Sequence, residues 1–396
     1  MDTVITGTTS LLAAAIVVAL VARRLKLPYT VGLVFAGMAL ALLHLQTGIV
    51  LSQGLIFTVI LPPLLFEAAI NISWPDLERD AVPIVILALP GTLIAAAAIT
   101  TGMFLVLHWP ISSAALFGSL IAATDPVAVI AMFKDNKVTG RLRLLVECES
   151  LFNDGVAAVL FALVLAGVQA AGGPNIGLAS LELVGGGIAI GVVCAGAAIL
   201  LAGRTTDHLI EATLTTVTAY GSFLLATHFG ASGVLATVSA GLVMGNIGIL
   251  GVGDRSRLAL KGRAFVLDLW DFIAFIANSL IFLLIGITIG GLSRPAFGAG
   301  ALIVILVLVL LSRALTVYPL CAILHRSAWK IPFHTQHVLW WGGLRGALGL
   351  ALALSLPATI LLRREILFAT FGVVAFSVVV QGLTMPWLLR RKVKLL

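Results

Sequence analysis

Apolar runs separated by short polar gaps divide the chain into thirteen segments: 4–22, 29–45, 51–71, 82–107, 111–133, 145–171, 178–203, 209–228, 232–250, 265–291, 298–324, 335–357 and 366–389. A helix needs about 20 residues to cross a hydrocarbon core of about 30 Å. Most segments meet that length, and the second and ninth fall short of it. The pattern predicts an all-α polytopic membrane protein with about 13 transmembrane helices. Two segments carry interruptions. Thr124-Asp125-Pro126 breaks the fifth, where proline removes a backbone donor and clashes with the preceding turn. Gly342-Gly343-Leu344-Arg345-Gly346 breaks the twelfth, where three glycines weaken the helix around a cation. Six helices, a linker helix and six more would place helices 5 and 12 at the same ordinal position in two inverted repeats, about 4–171 and 209–389, with the linker at about 178–203. Inverted repeats with broken helices at a midplane site are common in secondary transporters. Proline and glycine also kink or pack membrane helices without further role, but a charge beside each break favours a site.

The basic residues orient the spans. With the N-terminus outside, the inner loops hold Arg23, Arg24, Lys26, Arg79, Lys134, Lys137, Arg141, Arg143, Arg204, Arg255, Arg257, Lys261, Arg263, Arg326 and Lys330. The tail adds Arg390, Arg391, Lys392 and Lys394, making nineteen of the 24 Lys and Arg. Only Arg294, Arg363 and Arg364 fall outside, so the positive-inside rule places the C-terminus in the cytoplasm.

Charged residues make up 10% of the chain and hydrophobic ones 60%, against about 25% charged in a soluble domain. The net charge of +7 is scattered through short loops, so it indicates no nucleic-acid partner. Cys148, Cys194 and Cys321 share no metal or redox spacing and read as packing residues. His334 and His337 form an HxxH pair without carboxylate or cysteine partners, a poor metal site. The N-terminus lacks a basic n-region and reads as a retained span. No loop is long enough for a soluble regulatory domain, so residues 1–396 are expected to form one transmembrane unit. Without a GxxxxGK[ST] loop, any work must draw on a gradient.

Asp125 and Asp154 lie in the middle of apolar segments, where a charge costs roughly 2.5–3.5 kcal/mol on insertion scales. Function is the default reading of such residues, and moving a cation or proton is the best-motivated one. On helix 6, Ser150 and Asp154 lie four apart on one stripe, and Glu149 and Asn153 on the adjacent one. An opened backbone at Thr124-Asp125 facing them would add carbonyl oxygen to carboxylate and hydroxyl, a set suited to a hard monovalent cation. Asp154 is the candidate exchange site, with Asp125 in support. Burial disfavours a carboxylate's charged form and a nearby cation favours it, so a site between those pulls can trade a proton for an ion. Arg313 is the expected partner of Glu149, chiefly as scaffold, with an interfacial snorkelling residue as the alternative. Arg345 is the other expected counter-charge, with compensation of helix-end dipoles at the broken helix 12 as the alternative. Glu67 either lines a cytoplasmic funnel or sits at headgroup level. Glu147 is expected to guard the inner mouth, and Asp76, Glu78 and Asp80 read as a solvated loop.

ATDPVAVIAMFKD (123–135), ECESLFNDGVAAVLF (147–161), WWGGLRGALGLALALSLP (340–357) and LPPLLFEAAIN (61–71) resemble, in spacing and order, the motifs of monovalent cation:proton antiporters of the bacterial NhaP and animal NHE type. The resemblance implies that Asp154, second of an Asn-Asp pair, is the ion-binding carboxylate, helped by Asp125, Ser150 and the Thr124 carbonyl. It also implies a Glu149–Arg313 pair, with Asn153 stabilising the core in place of a second acid. In this resemblance an Asn-Asp pair implies electroneutral one-for-one exchange of Na+ (or Li+ or K+) for H+, and the family implies a homodimer in the cell membrane. Cys148 departs from the usual glycine before Glu-Ser. Na+ and H+ are then cargo, and no cofactor is expected. A cation channel or uniporter is the alternative, although no TVGYG-type carbonyl filter is present. A membrane-embedded hydrolase lacks a nucleophile–base pair or HExxH.

Overall fold

Each of the thirteen apolar segments forms helix in the computed structural model, which describes residues 2–25, 28–43, 51–135, 138–169, 176–249, 260–291 and 298–392. No strand occurs among the described residues. Lipid offers no partner for a backbone N–H or C=O, so a chain of this composition must satisfy them within helices. Of the topology-setting basic residues, Lys26, Lys137, Arg255, Arg257, Arg294 and Lys394 lie outside the described residues.

The chain opens with α1 (Asp2–Leu25) and α2 (Tyr29–Leu42), followed by a π-helical turn (Leu55–Ile60) that runs into α3 (Leu61–Ile70). A short helix, α4 (Trp74–Arg79), occupies the acidic loop, and α5 (Ala81–Leu107) follows. The fifth segment is split into α6 (Ile111–Ile121) and α7 (Val127–Asp135). Next come α8 (Arg141–Gln169), α9 (Ile176–Ala202), α10 (His208–His228) and α11 (Gly233–Val243), the last extended by a π-helical turn (Met244–Ile249). After α12 (Leu260–Gly291) and α13 (Ala299–Ile323), the twelfth segment is split into α14 (Phe333–Trp341) and α15 (Ala347–Leu354). The last is α16 (Arg363–Phe376), a π-helical turn (Ser377–Gln381) and α17 (Gly382–Lys392).

Seven of the described helices are each long and apolar enough to cross a bilayer. The second and ninth segments are short, as their sequence indicates: α2 has 14 residues, and α11 with its π-helical turn covers only Gly233–Ile249. Side-chain caps mark some starts. Asp207 accepts the Leu209 N–H at 2.8 Å before α10, and Ser232 accepts the Leu235 N–H at 3.3 Å before α11, satisfying donors that a helix leaves open.

The residues group into two compact units interleaved along the sequence. The first comprises Met1–Ile56, Val82–Ala157 and Asn278–Leu396, and the second Phe57–Ala81 and Ala158–Ala277. In the second unit α3, α10 and α11 pack together. Phe66 and Trp270 stack there with ring centroids 4.7 Å apart, and the Trp270 indole donates to Thr215 Oγ1 at 3.0 Å, satisfying the one polar atom of a buried ring.

The first unit holds both broken helices and the start of α8. Lipid is as apolar as leucine, so helices associate there through close packing at small residues. Gly37 of α2 and Gly286 of α12 face each other in this way: a Cβ on Gly37 would strike the Leu283 carbonyl, and one on Gly286 the Val34 carbonyl. Nearby, the Tyr29 hydroxyl and Ser279 Oγ share a hydrogen bond of 2.6 Å. Since the obstacles are backbone atoms that cannot rotate away, Gly286→Val is expected to destabilise the protein by about 1–3 kcal/mol. A lowered melting temperature in detergent checks this, and an unchanged one would show that the contact yields easily.

Candidate functional site

Where α6 and α14 stop, their last carbonyls have no intrahelical partner, and where α7 and α15 start, their first N–H groups have none. The structure satisfies these groups by bringing the two breaks together. The Asp125 N–H donates to the Leu344 carbonyl at 2.8 Å. Arg345 Nη1 donates to the carbonyls of Ala122 at 2.6 Å and Ala123 at 2.9 Å. Arg345 therefore completes the end of α6, so of its two expected roles the dipole one falls on the other broken helix and not on its own. Asp125 plays the opposite part. Its Oδ1 accepts the Val127 N–H at 2.9 Å, and the Ala347 N–H also bonds to its carboxylate. One carboxylate thus stands at the N-termini of α7 and α15, where the helix dipoles favour negative charge. Gly346 makes the approach feasible, since a Cβ there would run into that carboxylate.

The polar side of α8 meets this crossing. The Thr124 N–H donates to Asn153 Oδ1 at 3.1 Å. Asn153 Nδ2 donates to Thr124 Oγ1 at 2.6 Å and to Glu149 Oε1 at 3.3 Å. Ser150 Oγ donates to the Thr124 carbonyl at 2.7 Å, which commits its hydrogen. In the 2.7 Å contact between the Thr124 and Ser150 hydroxyls, Thr124 is therefore the donor. Thr124, Ser150 and Asn153 are all buried, and their bonds form one directed chain.

Arg313 of α13 grips Glu149 with two bonds, Nη1 to Oε1 and Nη2 to Oε2, both 2.7 Å. Nη2 also donates to the Leu339 carbonyl at 3.0 Å, closing part of the open end of α14. Arg313 is 7% exposed, so it is an interior group and not a snorkelling one. Such two-pronged pairs add directional specificity to charge neutralisation.

Asp154 differs from the other two acids. It is buried, and its Oδ1 has no hydrogen-bond partner among the described residues. Its charged neighbours are Asp125, Glu149 and Arg345. Glu149 is committed to an arginine and Asp125 to two helix ends, which leaves Asp154 as the acid with an oxygen to spare.

The remaining candidates bond to other partners. Glu147 bonds to Arg143 Nε at 2.8 Å one turn away on α8. Glu67 belongs to the second unit and is half-buried at the end of α3, where Asn71 Nδ2 donates to its Oε1 at 3.1 Å. His337 Nδ1 meets the Tyr318 hydroxyl at 2.7 Å, and no cluster of metal-ligating side chains occurs among the described residues. One buried polar residue absent from the sequence-based reading touches the second break: Gln381 Nε2 donates to the Trp341 carbonyl at 3.0 Å. A lone glutamine within the apolar run SVVVQGL is the signal that marks it.

A family model described as sodium/hydrogen exchanger, transmembrane, matches residues 11–391. The chain is 42% identical over 375 residues to the Na(+)/H(+) antiporter ApNhaP of Aphanothece halophytica, a match covering 92% of this chain and 70% of that protein. It is 39% identical over 384 residues to the low-affinity Na(+)/H(+) antiporter NhaS1 of Synechocystis sp., covering 92% of this chain and 69% of the relative. Its fold matches the structure of the sodium proton antiporter MjNhaP1 from Methanocaldococcus jannaschii with a TM-score of 0.75, over 99% of both chains at 22% identity.

Removing one member of a buried ion pair strands the other, at a cost of about 3–5 kcal/mol. Glu149→Gln and Arg313→Gln are each expected to lower thermal stability by that order, and the double substitution by less than their sum. Strict additivity in a double-mutant cycle would reject the coupling.

Proposed function

The chain belongs to the transmembrane sodium/hydrogen exchanger family, and on that footing we propose that it is a secondary antiporter exchanging Na+ for H+ by alternating access. Li+ and K+ are the further candidate cargoes. A buried carboxylate with an uncommitted oxygen, Asp154, is the observation that carries this reading.

Asp154 binds either the ion or a proton, and that exclusion couples the two fluxes. The oxygens assigned to complete a cation's shell are Ser150 Oγ, the Thr124 carbonyl to which it bonds, and the carboxylate of the neighbouring Asp125. Oxygen donors without soft sulfur suit a hard alkali cation. Arg345, the one cation among the charged neighbours of Asp154, balances part of the negative charge gathered there. Asn153 orders Thr124 without adding a second titrating acid, which supports an electroneutral one-for-one exchange. Glu149 and Arg313 neutralise each other and hold the scaffold.

All these residues belong to the first unit, so a displacement of that unit as a body carries the whole site with its ion. We assign Glu147 and Glu67 to the route from the cytoplasm, Glu147 near the inner mouth. The charge bias supports an outer N-terminus and a cytoplasmic C-terminus in the inner membrane. Equivalent breaks in helices 5 and 12 support two inverted repeats around the linker helix α9. A homodimer is part of the same reading, and the transported ions are its only small-molecule partners, with no cofactor or nucleic acid. A channel is disfavoured because the charges suit a site more than a pore and the sequence holds no TVGYG-type filter.

Reconstituted in vesicles with the potential clamped, the protein is expected to show a saturable Na+-dependent proton flux that a change of clamped potential leaves unaltered. Asp154→Asn should abolish the flux while the protein remains folded; normal transport by this variant would remove Asp154 from the site. Competition for one carboxylate also sets the sign of the pH effect. As pH falls, the proton displaces Na+, and the Na+ concentration for half-maximal flux should rise, approaching about tenfold per pH unit once the protonated form dominates. A half-saturating concentration that does not move with pH would contradict a shared site.

A further inference from the structure

The last membrane segment is widened by one π-helical turn, Ser377–Gln381, between α16 and α17. Such turns are rare and concentrate at functional sites. An extra residue in a helix rotates everything after it by about 100°, so the turn decides which face the following residues present. It delivers Gln381, 2% exposed, to the carbonyl of Trp341 at 3.0 Å. Thr384, further along the same helix, accepts the Trp341 indole N–H at 2.8 Å. Trp341 is therefore held by both its backbone and its side chain.

Trp341 is the last residue of α14, and its carbonyl is one of those a helix end leaves open. Two residues earlier, Leu339 gives its carbonyl to Arg313. Gln381 and Arg313 line one small cavity with Trp340, Gly343 and Ser377. Immediately after Trp341 comes the segment whose Leu344 carbonyl receives the Asp125 N–H and whose Arg345 reaches α6.

From this geometry we infer that Gln381 is a positioning residue for ion exchange, whose amide fixes where α14 ends and thereby the placement of Leu344 and Arg345 against Asp125. It touches neither the ion nor the proton. The inference rests on the antiporter reading above, and it accounts for the π-helical turn, since a regular helix would aim position 381 elsewhere.

The test uses Gln381→Met, close in size but without a donor, and Gln381→Glu, which donates to the Trp341 carbonyl only while protonated. Among the described residues lining the cavity the charged one is Arg313, itself paired with Glu149. Na+-dependent proton flux is measured in vesicles across a range of pH, with melting temperature measured in detergent. For Gln381→Met, the Na+ concentration for half-maximal flux should rise roughly tenfold, the scale of one buried acceptor left unpaired, with a smaller change in maximal flux. Gln381→Glu should approach the unmodified protein at acid pH and drop away from it as pH rises, giving a flux ratio that depends on pH. A purely structural role would lower melting temperature and maximal flux together and leave the Na+ concentration for half-maximal flux unaltered in both variants. A flat ratio, or a Met variant with unaltered half-saturation, overturns the inference. Should the Met variant fail to fold, the Glu variant's ratio decides alone. Absence of coupled flux in the unmodified protein would instead refute the antiporter reading, whereas coupled flux lost in Asp154→Asn with a normal Met variant refutes only the role of Gln381.

Discussion

Stopping a helix inside lipid exposes carbonyls and N–H groups that no water can satisfy, and the organisation of this site follows from that constraint. The breaks at 122–126 and 342–346 open four helix ends. Arg345 takes the end of α6, Arg313 and Gln381 take the end of α14, and Asp125 takes the starts of α7 and α15. Positive groups meet carbonyl ends and a negative group meets N–H ends, the arrangement helix dipoles favour. Each broken helix is completed largely by residues of other segments, so neither half-site stands without the other.

The same arrangement sorts the acids. Three carboxylates in one buried region repel one another unless something separates their roles. Glu149 is matched to an arginine, and Asp125 is matched to two helix starts. Asp154 keeps an oxygen unspoken for. A buried anion with local partners is a structural element, whereas one without is costly, and it lowers that cost by binding a cation or a proton. On the antiporter reading proposed above, that is why exchange is assigned to Asp154 and not to the other two acids.

Much of this was legible in the residues. Pro126 and the glycines of 342–346 located both breaks, because their backbone chemistry is local. The Glu149–Arg313 partnership followed from the cost of leaving either charge alone in lipid. The destination of Arg345 was not legible, because dipole reasoning names a kind of partner and says nothing of which helix end adjoins it. Nor was the wiring of Asn153 to Thr124, 29 residues away, since four-residue spacing on α8 describes one helix only. The π-helical turns carry no compositional mark, so the place of Gln381 at the end of α14 was hidden as well. The interleaving of the two units was equally hidden: the boundary within α8 falls after Ala157, in the middle of an unbroken apolar run.

The direction of the bonds around Thr124 carries a consequence for kinship among such proteins. Asn153 gives a hydrogen to the threonine hydroxyl, the hydroxyl passes one to Ser150, and the serine passes one to the peptide carbonyl. An aspartate in the asparagine's place has nothing to give while ionised. The threonine hydroxyl would then swing round to face it, and Ser150 would lose its incoming hydrogen. Swapping one amide for one acid therefore rewires two hydroxyls as well as adding a charge, and a variant of that kind inherits a different set of lone pairs at the heart of the protein.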